Sequence, residues 1–428
     1  MMRALFSAIS GMRNHMSYMD VVGNNIANVN TTAYKSSRVT FQDILGQTVR
    51  GASSPQNGRG GMNPAQIGLG VNLGAIDNIM SQGSLQSTGK LTDFAVQGDG
   101  FFVVGDGQRT FYTRDGSFDI DVGGSLVNPS TGMKVMGWLA DATGSVATDV
   151  APVSIQIPFG TQVSAKPTAD NAAAIPPIFG MVMAGNLDSG TGIVAPNNIA
   201  TSTVTAYDSL GNAHTINLSF TKTAANTWSV TGTDPNSAVA APNAIAAQTI
   251  NFTPNGLVDT TQNSKGLINV SLGTTTGSTT PLAFKIDMST FTQFAGSSSV
   301  TTRANTGSPA GALVSFAVGA SGEISGIYSN GSTQRIGQLA LASFANAGGL
   351  QRSGQNLWTG SAASGDAMIG TPNDSGRGSI STGTLETSNV DLAQQFTNVI
   401  IAQRGFQSSS RVITASDQML QDLVQIIR

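Results

Sequence analysis

The chain has 428 residues, of which 39% are hydrophobic and only 11% charged, with a net charge of −3, 51 glycines and no cysteine. Its length suits about two to four domains, and the missing cysteine excludes disulfides and thiolate metal sites. No basic run exists to neutralise a phosphate backbone, so no nucleic-acid partner is expected.

Residues 3–27 are expected to form a helix, because Leu5, Ile9, Met12, Met16, Met19 and Ile26 advance in helical steps. Gly11 and Gly23 weaken it by about 1 kcal/mol each relative to alanine. Asn28, Asn30 and Thr31 then compete for backbone hydrogen bonds and stop it. Residues 1–20 contain Arg3, Arg13 and Asp20 and lack the apolar core of a cleaved signal peptide, so export by another route is expected. No run of 18 apolar residues occurs, so no membrane insertion is expected.

Residues 31–74 are mixed in pattern, and the Gly/Pro-rich stretch from Gly51 to Gly70 reads as an extended linker or loop. From 75 to 147 the period changes to two. Phe101 to Val104 and Val135 to Leu139 read as strands, punctuated by Asp99-Gly100, Asp106-Gly107, Asp115-Gly116 and Gly123-Gly124 turns. Residues 148–304 begin with a Pro/Ala-rich entry and continue as hairpins around Val204–Tyr207, Thr215–Phe220 and Trp228–Thr231, which reads as an inserted all-β domain. Strands resume at Leu313–Phe316 and Ile336–Phe344, and 353–381 is turn-rich again. Residues 389–427 read as one helix of about 58 Å, with Ser388 or Asn389 as its cap and Asp391 in its first turn.

Both ends carry a seven-residue apolar repeat. Leu5, Met12, Met19 and Ile26 form it at the start; Leu392, Val399, Phe406, Ile413, Leu420 and Ile427 form it at the end. Such a repeat is the seam of helices that pack on helices. A second row, Val412, Met419 and Ile426, runs beside the C-terminal seam, with Phe396 and Val424 flanking the other side. One partner helix cannot cover all of it, and burial of each large side chain is worth about 1.5–3 kcal/mol. Contacts between copies are therefore expected, with ends poorly ordered in the monomer that fold on polymerising.

Catalytic patterns are missing. The two histidines, His15 and His214, are expected to be surface or packing residues. Asp119-x-Asp121-x-Gly123 opens like a calcium loop, but Ser130 stands where the closing acid belongs. No enzyme activity, cofactor or metal is expected.

The segment Gly23-Asn24-Asn25-Ile26-Ala27-Asn28 through Ala33-Tyr34-Lys35 resembles the N-terminal signature of the bacterial flagellar rod and hook axial proteins. Leu385 to Leu392, containing Ser388, Asn389, Val390 and Asp391, resembles the C-terminal signature, together with Ala402-Gln403-Arg404 and Asp417 to Leu420. Tyr112 to Phe118 resembles a central motif of the same family. Segment 148–304 makes the chain similar to the hook members rather than the shorter rod members.

The resemblance implies a mainly β fold with α-helical termini. The helices (1–30 and 389–428) would pair as an inner coiled coil, joined through linkers (31–74 and 360–388) to a β-rich middle domain (75–147 and 305–359) and an inserted all-β outer domain (148–304). It implies a curved helical homopolymer, a universal joint passing torque from motor and rod to filament. The implied partners are further copies, the distal rod protein, the hook cap, the hook–filament junction proteins and the flagellar type III export apparatus. The implied location is the extracellular hook of the flagellum. Leu5 and Ile9 stand where early export substrates carry an apolar export element. A distal rod protein is the alternative within the family, and a secreted adhesin the alternative of another class.

Overall fold

The computed structural model describes residues 2–55, 60–141, 144–160, 162–171, 174, 176–195, 198–235, 244–261, 266–273, 278 and 281–426. The chain divides into two compact units, Met1–Ile157 with Ala317–Ser325 and Arg335–Arg428, and Pro158–Phe316 with Gly326–Gln334. The fold is mostly strand, with a helix at each end.

In the first unit, helices α1 (Met2–Ala27) and α2 (Leu392–Ile426) pack antiparallel. Neither described helix is long and apolar enough to cross a membrane. Beyond α1, strand Ser37–Asp43 pairs antiparallel with Val71–Asn78, from Ser37↔Asn78 to Asp43↔Val71, with an irregularity between Thr40 and Phe41. Gln47–Arg50 pairs with Ala65–Ile67, and a bridge joins Ser53 to Met62. Much of 31–74, expected to be a linker, is thus a paired ribbon. Its ladder hydrogen bonds satisfy backbone that a free linker would leave to water. The ribbon leans on α1, where Asn14 Nδ2 donates to Val71 O at 2.9 Å and Phe41 meets the Tyr18 ring edge-on at 5.9 Å.

The β part of this unit centres on Phe101–Gly105. It forms a hairpin with Thr110–Thr113 and also pairs with Lys134–Leu139 and Leu341–Ser343. The hairpin turn works as its sequence demands. Asp106 accepts the N–H groups of Gln108 (2.9 Å) and Arg109 (2.7 Å), and Gly107 takes φ 90°. Every side chain from Phe101 to Val104 is buried, consistent with a strand covered on both faces, and Phe102 meets Phe118 edge-on at 5.2 Å. The region 360–388, expected to be a linker, is paired as well, one strand in this sheet and two in separate two-stranded ladders. Met368–Gly370 pairs with Leu341–Ser343, Ser379–Thr382 with Phe94–Gln97, and Thr384–Glu386 with Leu85–Ser87.

The second unit is a β-sandwich. Four antiparallel strands (Ile199–Tyr207, Ala213–Ala224, Thr227–Thr233, Ala244–Asn251) form one sheet. Leu267–Leu272, Leu282–Asp287, Met181–Asn186 and Ser299–Asn305 form the other, with one parallel pairing, Met181↔Ile286. Side chains alternate inward, and Ile216, Leu218, Phe220, Trp228 and Val230 share one core with Met181, Ile268 and Ile286. His214 is buried here, with Nδ1 at 3.1 Å from Asp234 and Nε2 at 3.5 Å from Asp208. The carboxylates lie on opposite sides of the ring and do not converge on one point. Lys222 is also buried, donating to Ser189 O (2.6 Å) and Thr191 O (3.0 Å) against the Trp228 ring.

Candidate assembly site

Along the helix pair, partner numbers in α2 fall as those in α1 rise. A Cβ built on Gly11 would lie 3.2 Å from Ser409 Oγ, and one on Gly405 would lie 2.4 Å from the His15 ring. Asn25 Nδ2 reaches Gln395 Oε1 at 3.2 Å. Gly11, which costs α1 helix propensity, stands where the helices approach. Among the described residues, the buried side chains are Ala8, Val22 and Asn25 on α1, and Ala402 and Ser416 on α2. Small residues therefore line the covered strip.

The heptad residues flank this strip. Leu5, Met12, Met19 and Ile26 on α1 are half-buried, as are Val399, Phe406, Ile413 and Leu420 on α2, while Leu392 is exposed. In the second row Val412 and Met419 are exposed; Ile426 is described only by its backbone, and Ile427 lies outside the described residues. The larger side chains point away from the strip: Phe6 is 63% exposed, Phe396 and Ile401 each 55%, and Val424 63%. Ile9, like Leu5, is half-buried on α1. Gln403 and Arg404 are exposed on α2.

Below the helices, the two terminal signatures meet in one hydrogen-bonded collar. Asn25 Oδ1 accepts Ser37 N–H at 3.0 Å and Tyr34 O–H at 3.2 Å, and its Nδ2 donates to Ser37 O at 2.8 Å. Asn389 Oδ1 accepts Ser36 N–H at 2.7 Å, and its Nδ2 donates to Ile79 O (2.9 Å) and Ser81 O (3.1 Å). Asn389 is thus occupied, and Asp391 caps α2 instead, accepting from Ala393 N at 2.9 Å and Gln394 N at 3.2 Å. Asn28 Nδ2 folds back onto Asn24 O at 2.9 Å and closes α1. Ala27 is exposed, and Ser388 and Val390 are half-buried between collar and helix.

At the centre of the collar lies Glu386, fully buried. Its Oε1 meets Lys35 Nζ at 2.6 Å and Gly83 N–H at 2.8 Å, and its Oε2 meets Arg114 Nη1 at 3.5 Å. Lys35 Nζ also donates to Ser81 O at 2.8 Å. Burial pushes the Lys35 ammonium below its usual range, and the Glu386 charge opposes that shift. Burial acts on Arg114 in the same direction. Arg352 packs between the Tyr34 ring (4.9 Å) and the Trp358 ring (5.1 Å), and donates to Lys35 O, Ser37 Oγ and Asn78 Oδ1. One carboxylate thus gathers the N-terminal signature, the C-terminal signature and the central motif. Reading the sequence singled out Asn25 and Asn389 but passed over Glu386, Arg114 and Arg352. Glu386 and Arg114 lie inside quoted motifs, but nothing in their spacing marks them as an ion cluster. Among the described residues, no group of His, Asp or Glu side chains could hold a metal ion.

Family profiles match along the chain: "Flagella basal body rod protein" over residues 5–35, "Flagellar hook protein FlgE/F/G D1 domain" over 95–169, "Flagellar basal body protein FlaE D2 domain" over 193–308, and "Flagellar basal body rod FlgEFG protein C-terminal" over 381–426. The chain is 38% identical to the flagellar hook protein FlgE of Treponema pallidum over 473 aligned residues, covering 100% of both chains. It is 40% identical to that of Borreliella burgdorferi over 461, again covering 100% of both. The flagellar basal-body rod protein FlgG of Bacillus subtilis is 30% identical, also at 100% coverage of both. With matched helical ends, a matched central β region and a matched sandwich, the chain belongs to the flagellar hook protein family.

Proposed function

We propose that the chain is the structural subunit of a bacterial flagellar hook, a curved helical homopolymer that carries torque from rod to filament while bending. One observation carries this reading. The helix pair covers a strip of small residues and leaves Phe6, Phe396, Ile401, Val412 and Met419 exposed. Exposed apolar surface on that scale marks an interaction surface, and further copies of the chain are the natural cover for a seven-residue repeat.

In this reading the helices, with the ribbon and collar, form the axial part. The β region around Phe101–Gly105 is the middle domain and the sandwich the outer one. The distal rod protein, hook cap and junction proteins are then end-to-end neighbours. The flagellar type III apparatus is the export route, with Leu5 and Ile9 as the candidate export element. The role is mechanical and requires no catalytic group.

Electron microscopy of the polymer grown from the purified chain tests the reading. Curved tubes are expected, together with loss of motility in a strain lacking the chain. The full-length match to a rod protein favours one second reading, a distal rod subunit. Straight, rigid tubes that still assemble without 148–304 would establish that reading instead.

A further inference from the structure

Beside the collar, within the first unit, lies a cavity of about 190 Å³ lined by Asn24, Tyr34, Arg352, Gln355, Asn356 and Trp358, among others. Its lining combines the Tyr34 and Trp358 rings with the Arg352 cation and the amide side chains of Asn24, Asn28, Gln355 and Asn356. Arg352 uses Nε and Nη2 on neutral oxygens and makes no ion pair among the described residues. The local charge is unbalanced as well. Lys35 and Arg114 share one buried carboxylate, Glu386, with the exposed Asp99 acting further on Arg114, and Arg352 adds a third cation against the Lys35 carbonyl. The backbone at the rim is unusual. Ala33 (φ 56°), Gln355 (φ 51°) and Asn356 (φ 59°) all adopt left-handed conformations without being glycine. Gln355 and Asn356 form the two-residue turn of the hairpin that pairs Gln351–Gly354 with Leu357–Thr359, which holds this stretch of the rim in place.

We propose that this pocket receives an acidic side chain from a second copy of the chain, which pairs with Arg352. The inference rests on the homopolymer reading above. The complementary charge is available on the same chain. Asp20 on α1, Asp43 on the ribbon, and Asp417 and Asp422 on α2 are exposed and make no ion pair among the described residues. Each copy therefore offers both the unpaired cation and unpaired carboxylates for it, as a repeating contact requires. A guanidinium packed against two aromatic rings is pre-organised for a planar carboxylate.

Gln355 gives a test that spares the collar, because its side chain is exposed at the rim. Aspartate and asparagine both tolerate left-handed backbone and differ in charge. Light scattering would give the critical concentration for polymerisation of Gln355→Asp, Gln355→Asn and Gln355→Lys at low and high salt. The expected result is that Gln355→Asp raises it about tenfold over Gln355→Asn at low salt, that high salt narrows the gap, and that Gln355→Lys lowers it. Equal values for Gln355→Asp and Gln355→Asn, with the unmodified chain polymerising, would overturn this inference alone. A chain that never polymerises would overturn both this inference and the homopolymer reading.

Discussion

The sandwich and the helix pair treat apolar side chains in opposite ways. In the sandwich, Phe220, Trp228, Ile250 and Ile286 are fully buried by strands of the same unit. In the helix pair the fully buried positions go to Ala8, Val22, Ala402 and Ser416, while Phe6, Phe396 and Met419 stay exposed. Burial of large apolar side chains is the main source of folding free energy, so the sandwich supplies its own stability and the helix pair does not. The sandwich is a finished domain, whereas the helix pair is half of an interface.

Glu386 gives the sharpest way to break this contrast, because it ties the unfinished helices to finished β structure. Glu386→Ala leaves Lys35 and Arg114 buried without their anion, and the first unit should lose about 3–5 kcal/mol. Denaturant unfolding followed through Trp138 and Trp358 would measure this, with Trp228 reporting that the sandwich is unchanged. A loss below about 1 kcal/mol would mean that the collar does not hold the parts together.

Gly405→Ala is a smaller perturbation. Alanine favours a helix by about 1 kcal/mol, but its Cβ would sit 2.4 Å from the His15 ring. Overpacking costs about 1–3 kcal/mol, so a net loss on the order of 1 kcal/mol is expected, seen as reduced helical circular dichroism. Adding His15→Ala should relieve it. If Gly405→Ala alone stabilised the helices, the close approach at that point would be wrong.

Lys35 adds a pH dependence. Burial lowers its pKa from the ordinary 10.5, so between the lowered value and 10.5 the unfolded chain holds more protons than the folded one. The Lys35 contribution to stability is then full above 10.5 and shrinks as pH falls toward the folded value. Unfolding free energies of the unmodified chain minus those of Lys35→Met should rise with pH as 10.5 is approached. A flat difference would mean that the ammonium is better solvated than the collar geometry implies.

The gentlest change is Val412→Gln with Met419→Gln. Both residues are already exposed in one chain, so the isolated molecule should change by no more than about 0.5 kcal/mol. Polymerisation should need a clearly higher concentration. Unchanged assembly would remove the second apolar row from the interface.

The sequence showed some of this and hid the rest for physical reasons. The helices were legible because Leu5 to Ile26 and Leu392 to Leu420 repeat large apolar residues at a helical period. The strip that joins them was not, since Gly11, Ala402, Gly405 and Ser416 carry little hydrophobic signal, and Gly11 reads as a weak point of its helix rather than a contact. The hairpin at Asp106-Gly107 was legible from its turn chemistry. The ribbon at 37–78 was not, because its strands leave Phe41 and Val49 exposed and so lack the alternation that marks a half-buried strand. The collar depends on residues as distant as Lys35, Arg114 and Glu386, a proximity that only the fold creates.

Hydrogen exchange on monomer and polymer tests the central contrast most directly. The account predicts that amides of 2–27 and 392–426 exchange quickly in the monomer and become protected in the polymer, while the strands 199–207, 213–224, 227–233 and 244–251 are protected in both. Helices as well protected in the monomer as the sandwich strands would show that they need no second copy, and would contradict the account.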